Sequence, residues 1–216
     1  MEKITRKSLQ KINHNTEYHA CTFHVEHRVP NLSGSVFHNC SFRHWAVIIN
    51  KIFDCRFINC NFSTLLLGVV KNTFFEGGYI QSFKITPDKE YHSLELISNV
   101  NIIEFNLSFT FIDYSIVRGY RGSAFIPFHH FPEKIFELSS LQKLNLSRNK
   151  IQTIPKNIKK LRNLREFSIS SNNLRTLPEE IYKLTSLKSL DMSRNNLDWV
   201  LKKKLQRYLL ECKVRL

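Results

Sequence analysis

Apolar residues recur with a fixed period of 23 positions in the C-terminal part of the chain. The segments "LQKLNLSRNKIQTIP" from Leu141, "LREFSISSNNLRTLP" from Leu164 and "LKSLDMSRNNLDWVL" from Leu187 align without gaps. In each segment apolar and polar residues alternate over a few positions, which predicts a short strand with one inward face. One copy cannot bury its apolar face alone, so stacked copies must share a core.

An asparagine follows each predicted strand, at Asn149, Asn172 and Asn195. This pattern resembles the leucine-rich repeat, L-x-x-L-x-L-x-x-N-x-L, in its 23-residue form. The resemblance implies that each asparagine turns the chain and that its buried side chain hydrogen-bonds backbone groups of neighbouring coils. A half repeat begins the stack, with apolar positions at Phe128, Phe131, Pro132, Ile135 and Leu138.

The repeat pattern breaks after the third copy, in "DWVLKKKLQRYLLEC". Apolar residues there have helical spacing, at Leu201, Leu205, Tyr208, Leu209 and Cys212. Asp198 is placed to cap this helix. We expect the helix to cover the last repeat, and the alternative is an amphipathic helix that binds a partner.

The first half of the chain shows a five-residue period. Apolar residues occupy Phe37, Phe42, Val47, Ile52, Phe57, Phe62 and Leu67. Two positions before them lie Ser35, Cys40, Trp45, Asn50, Cys55, Cys60 and Leu65. This pattern resembles the pentapeptide repeat, from which Trp45 and Asn50 depart. The resemblance implies a right-handed β-solenoid with four units per coil, in which Phe37 stacks on Phe57, Phe42 on Phe62 and Cys40 on Cys60.

The cysteines allow three interpretations. They can fill narrow interior corners as small apolar groups, which is the interpretation we favour. A Cys40–Cys60 disulfide is sterically conceivable but needs an oxidising compartment. Zinc needs four convergent ligands, which an interior lined by phenylalanine does not offer.

Four histidines surround Cys21, at His14, His19, His24 and His27. Their spacing matches no zinc motif, and strand alternation places most of them on an outer face. We therefore expect neither a bound metal nor a cofactor.

These patterns predict an α/β solenoid. A pentapeptide-like right-handed β-solenoid would span 1–127, leucine-rich repeats 128–198 and a C-terminal capping helix 199–216. Residues 71–127 would continue the first solenoid irregularly, with a loop from Thr86 to His92. Ile103, Phe105, Leu107, Phe109 and Phe111 alternate with polar residues and predict a half-buried strand.

The formal net charge is +14, and most of it lies in the second half: from Arg121 onward the chain has 20 Lys and Arg but only 8 Asp and Glu. The first half is therefore too weakly charged to imitate DNA, as some acidic pentapeptide solenoids do. The first thirty residues lack the apolar core of a signal peptide, and "TLLLGVV" is too short to span a bilayer. We expect a soluble, cytoplasmic chain with reduced thiols.

Sequence motifs for catalysis are absent: there is no G-x-S-x-G motif, no phosphate-binding loop motif, no H-E-x-x-H motif and no set of protein-kinase motifs. Too few residues follow the last repeat for an appended ubiquitin-ligase domain, and Cys212 is interpreted as a core residue. We expect a non-enzymatic protein.

In leucine-rich repeats the exposed strand residues form the concave face, and here they are mixed in charge and rich in small side chains. We predict that this face binds a protein partner through Lys143, Asn145, Ser147, Arg148, Glu166, Ser168, Ser170, Ser189, Asp191, Ser193 and Arg194. The short array and the Lys/Asn/Ile-rich composition resemble effectors that bacterial pathogens inject into host cells, which implies a host partner.

The alternative function is electrostatic binding of nucleic acid or anionic membrane, which would weaken steeply with salt. The basic residues concerned are Lys156, Lys159, Lys160, Arg162, Lys202, Lys203, Lys204 and Arg207.

Overall fold

The computed structural model describes residues 1–24, 28–43, 46–85, 97–98, 100–107 and 127–216. These residues divide into two compact units. Of the described residues, the first unit holds 1–24, 28–43, 46–85, 97–98 and 100–103, and the second holds 104–107 and 127–216. Each unit is a solenoid of stacked parallel strands, and the second also contains a C-terminal helix.

The first unit is built from short strands separated by tight turns. They are β1 (Glu2–Thr5), β2 (Ser8–Leu9), β3 (Thr16–His19), β4 (Thr22–Phe23), β5 (Arg28–Ser33), β6 (Val36–His38), β7 (Ser41–Phe42), β8 (Val47–Phe53), β9 (Arg56–Ile58), β10 (Asn61–Lys71), β11 (Phe74–Glu76), β12 (Tyr79–Ile85), β13 (Ile97–Ser98) and the first half of β14 (Asn101–Asn106), whose second half belongs to the second unit. One sheet has the order β1-β3-β6-β9-β11-β13. In the other, β2, β4, β7, β10, β12 and β14 are successive neighbours, and β5 and β8 join it through β10.

Several turns of this unit contain a residue with positive φ that precedes a small, inward-facing residue. Asn39 has φ +54° and Asn59 has φ +53°, and Cys40 and Cys60 follow them. The Cys40 thiol donates to the carbonyl oxygen of His38 at 3.4 Å, so the side chain closes the turn locally. A small group fits this corner, which agrees with the interior position predicted for the cysteines.

The cysteines of the first unit are free thiols rather than disulfides. Cys21, Cys40, Cys55 and Cys60 are buried, and all are unpaired. Burial raises the pKa of Cys55 to about 11. A hydrogen bond with Cys40, together with burial, raises the pKa of Cys60. The raised pKa values keep Cys55 and Cys60 protonated, and all four cysteines fill the interior as small core groups.

Aromatic rings stack in columns through the first unit, as the five-residue period predicts. The ring centroids of Phe37 and Phe57 lie 4.6 Å apart, and those of Phe42 and Phe62 lie 4.3 Å apart. The coil length nevertheless varies, because Glu17 pairs with Val36, Val36 with Arg56, and Arg56 with Phe74.

The two departures from the five-residue pattern have different outcomes. Trp45 lies outside the described residues. Asn50 lies within β8, and its Oδ1 atom is buried without a hydrogen-bond partner among the described residues. Within β14, Phe105 is buried whereas Ile103 is only half-buried. The predicted loop Thr86–His92 and the positions of Phe109 and Phe111 lie outside the described residues.

The second unit stacks the 23-residue repeats. Its strands are β15 (Lys143–Asn145), β16 (Glu166–Ser168), β17 (Ser189–Asp191) and β18 (Lys213–Arg215). Each pairs in parallel with the next, and β15 also pairs in parallel with the last three residues of β14. Short 3₁₀ turns at Glu133–Glu137, Lys156–Lys160 and Glu179–Lys183 lie between the strands. All five apolar positions of the predicted half repeat are buried.

The asparagines form the predicted ladder between coils. Asn172 Oδ1 accepts the backbone N–H of Ile151 at 2.9 Å. Its Nδ2 donates to the carbonyl oxygens of Leu146 and Ile169, each at 3.0 Å. Asn149, in the repeat before Asn172, and Asn195, in the repeat after it, make equivalent hydrogen bonds to backbone N–H and carbonyl groups. Each amide, buried in Asn149 and Asn172 and half-buried in Asn195, therefore satisfies backbone groups that the turn leaves without a partner.

The C-terminal helix is shorter than predicted. Helix α1 spans Trp199–Tyr208, and its N-cap is Asp198, which accepts the Leu201 N–H at 2.8 Å. The predicted extension to residue 216 is wrong, because the chain turns after α1 and forms β18. Val214 lies in register with Leu190, so this last strand continues the repeat sheet. Tyr208 is 61% exposed rather than a core residue.

Candidate partner-binding face of the repeats

The outward side chains of the second unit form one polar surface, which we call the repeat face. Strand register aligns its first row as Glu104, Lys143, Glu166, Ser189 and Lys213. Its second row is Asn106, Asn145, Ser168, Asp191 and Arg215. Its third row follows the strands and contains Ser147, Arg148, Ser170, Ser171, Ser193 and Arg194.

Opposite charges alternate along the first row. The ammonium of Lys143 lies 3.0 Å from the Glu104 carboxylate and 3.5 Å from the Glu166 carboxylate. The hydrogen bond to Glu104 is the main reason that the pKa of Lys143 is raised. The Lys143 and Glu166 side chains are about half exposed, so these pairs add little to stability and remain open to a partner.

Several polar side chains of the repeat face form hydrogen bonds with other groups of the same face. Ser147 is only 8% exposed, and its Oγ lies 2.6 Å from the Oγ of Ser168 and 3.1 Å from that of Ser170. Asn145 and Asp191 accept the backbone N–H groups of Ser147 and Ser193, each at 3.0 Å. These residues shape the surface, and Ser147 itself offers little area to a partner.

The exposed cations of the third row sit at strained turns. Arg148 and Arg194 have φ of +59° and +56°, and both side chains are exposed. Neither has an ion-pair partner within the described part of the chain. Ser171 occupies the same turn position in the repeat between them, with φ +55°. The two guanidinium groups are therefore free to meet carboxylates of a partner.

The structure adds residues that the sequence analysis did not assign to this face. Glu104 enters because β14 pairs with β15, although the predicted domain boundary lay after residue 127. Lys213 and Arg215 enter through β18, and Arg215 lies 3.8 Å from the Asp191 carboxylate. A signal for Glu104 was present, since "EFNLS" aligns with "KLNLS" of the first repeat. The face therefore has five strands instead of three.

A comparison with protein families matches residues 140–197 to the leucine-rich repeat. Residues 140–197 form leucine-rich repeats. Leucine-rich repeats typically serve as protein-interaction scaffolds, because their stacked coils present an extended binding surface. Among curated proteins, none matches the chain.

Several solved structures are similar to the chain, including these two. One is a leucine-rich repeat protein of Leptospira interrogans, with 16% identity and a TM-score of 0.45. The match covers 93% of this chain but 54% of that protein, so this chain spans about half its length. The other is an internalin of Listeria monocytogenes, with 12% identity, a TM-score of 0.36 and coverage of 93% and 80%. In the described part of this chain, no helix is both long and apolar enough to cross a membrane.

Proposed function

We propose that the repeat face binds a protein partner through a segment that carries carboxylates. The observation that carries this proposal is the pair Arg148 and Arg194, exposed and unpaired within the described residues at the edge of a small-residue surface. They lie two strands apart, a separation of about 10 Å at the usual strand spacing. Two acidic groups of an extended segment can span that distance.

The extent of the repeat face supports the same proposal. Five strands span about 20 Å across the stack. With the turns on either side, this length suits one side of a small protein interface. The first row contributes alternating charges that can select a partner by complementarity. The resemblance in composition to injected bacterial effectors leads us to propose a host protein as this partner.

Site-specific cross-linking tests this proposal. A photoreactive amino acid at Glu166, which lies exposed on the repeat face, should form an adduct with one protein in a nuclease-treated lysate. The matched control places the same group at Lys159, which is exposed in a 3₁₀ turn outside that face. Adducts of equal yield and identity from both positions would contradict the proposal.

Charge reversal at the arginines gives the quantitative part of the test. We expect Arg148→Glu with Arg194→Glu to weaken partner binding roughly tenfold or more, equivalent to about 1.4 kcal/mol. Glutamate, like arginine, has an unbranched Cβ, so the strain at positive φ changes little. Lys159→Glu with Lys160→Glu is the control, and an equal loss in both variants would point to non-specific electrostatics.

A second candidate function is binding of an anionic membrane surface through α1. Trp199 is 67% exposed, and Val200 and Leu210 are also exposed. The ammonium of Lys203 lies 4.9 Å from the centre of the Trp199 ring. Exposed aromatic and apolar side chains beside lysines are typical of helices that lie at lipid interfaces. Lys204 is less available, because it pairs with Glu179 at 3.2 Å.

Vesicle binding separates this second candidate from the first. The chain should sediment with vesicles that contain phosphatidylserine and not with pure phosphatidylcholine vesicles, and binding should fall steeply with salt. Trp199→Ala should reduce it severalfold, while the Arg148→Glu, Arg194→Glu variant should retain most of it. No sedimentation at low salt would eliminate this candidate.

A further inference from the structure

In the first unit, three potential metal ligands converge on the outer face of the six-stranded sheet. Alternation along β3 turns Thr16 and Tyr18 inward, so Glu17 and His19 point outward. The register of β3 with β6 then places His38 directly beside His19. The sequence analysis grouped His19 only with histidines near it in the chain, and it did not include His38.

The ligand atoms of this cluster are already close together. His19 Nε2 lies 2.7 Å from Glu17 Oε1, and His38 Nε2 lies 3.5 Å from the same oxygen. The three ligand atoms all lie within 4.8 Å of one another. The two imidazole rings stack with centroids 4.5 Å apart and an angle of 8° between their planes. Both histidines therefore present Nε2 on the same side, toward the carboxylate.

We propose that Glu17, His19 and His38 bind a divalent transition-metal ion, with zinc as the preferred ion. Two imidazole nitrogens and one carboxylate oxygen are a ligand set that zinc accepts, at about 2.0–2.2 Å from each atom. Tetrahedral ligands at that range lie roughly 3.3 Å apart, so shifts of at most about 1.5 Å between ligand atoms would complete the geometry. Imidazole ligands favour zinc, copper or nickel over calcium or magnesium.

The half-exposed position leaves a fourth coordination site for water. The side chains of His19, His38 and Glu17 are 27%, 28% and 30% exposed. The cysteine thiols of these coils point inward instead, since Cys21 and Cys40 are buried. The bound ion would therefore have nitrogen and oxygen ligands only. It would also join β3 to β6, which belong to successive coils.

Lys3 is a cation beside the three proposed ligands. It lies in register with Glu17 on β1, on the same outer face. A cation next to the ligand set repels a metal ion, so removing it should tighten binding. This gives a variant whose expected effect is opposite in sign to that of ligand removal.

Zinc titration of the full chain tests the proposal. The protein is stripped with a chelator, dialysed and titrated with zinc chloride by calorimetry, with tris(2-carboxyethyl)phosphine keeping the thiols reduced. We expect one zinc per chain. His38→Gln and Glu17→Gln should each weaken binding at least tenfold, and Lys3→Ala should strengthen it a few-fold. His24→Ala, at an exposed histidine outside the cluster, should leave the affinity unchanged.

Cobalt(II) provides a readout of the ligand type. Cobalt bound by nitrogen and oxygen shows weak visible bands and lacks the intense near-ultraviolet band of thiolate coordination. That spectrum in the wild type, lost in His38→Gln while circular dichroism stays unchanged, would support the site. A thiolate band, no zinc binding, or full affinity in a correctly folded double variant of Glu17→Gln and His38→Gln would overturn it.

Discussion

Replacing Asn172 with alanine is expected to lower the free energy of unfolding by about 2–4 kcal/mol. The main cost comes from the backbone N–H of Ile151, which donates to Asn172 Oδ1 in a buried position. The carbonyl oxygens of Leu146 and Ile169 lose less, because each keeps a second amide donor, from Asn149 and Asn195 respectively. Urea denaturation followed by circular dichroism measures the change.

Asn173→Ala is the matched control for this prediction. Asn173 is adjacent in sequence and exposed, so its truncation should change stability by less than about 0.5 kcal/mol. Equal effects of the two substitutions would mean that the buried ladder does not hold the repeats together.

Replacing Phe57 with alanine should destabilise the first unit by about 3–5 kcal/mol. Phe57 is 1% exposed and stacks between Phe37 and Phe75, with ring centroids at 4.6 Å and 4.7 Å. Its removal leaves a cavity in the middle of an aromatic column, and the neighbouring coils cannot close it without breaking strand register. Thermal unfolding by circular dichroism or calorimetry would report the loss.

Phe74→Ala provides the control, because Phe74 precedes Phe75 in β11 but is 42% exposed. Its truncation should cost less than about 1 kcal/mol, mostly through β-propensity. If Phe57→Ala were as mild as Phe74→Ala, the interior column would not be a principal source of stability in this unit.

Local periodicity was sufficient to predict most interior positions. Phe37, Phe57, Leu144 and Phe167 all point inward as expected, because the side-chain alternation of a strand is a property of the strand itself. The Asp198 cap was predictable for a similar reason, since a capping side chain reaches only its own helix. The pentapeptide resemblance of the first half stays a prediction about family.

The prediction failed where a segment could form either a helix or a strand. The stretch after Tyr208 has apolar residues at helical spacing, yet residues 213–215 extend the repeat sheet instead. The open edge of β17 offers backbone groups that a further strand can pair with, and Val214 continues the buried position of Leu190. Helical spacing alone contains no information about that edge.

The sequence by itself determined the 23-residue period, the inward face of each strand and the asparagine at each turn, because these features depend on neighbours a few residues apart. Only the tertiary structure decided which distant segments lie in register. Pairing of β14 with β15 adds Glu104 to the repeat face, and pairing of β3 with β6 brings His38 to His19. The coils differ in length, so no fixed sequence spacing predicts which residues become neighbours across coils. Backbone hydrogen bonding between coils determines those pairs.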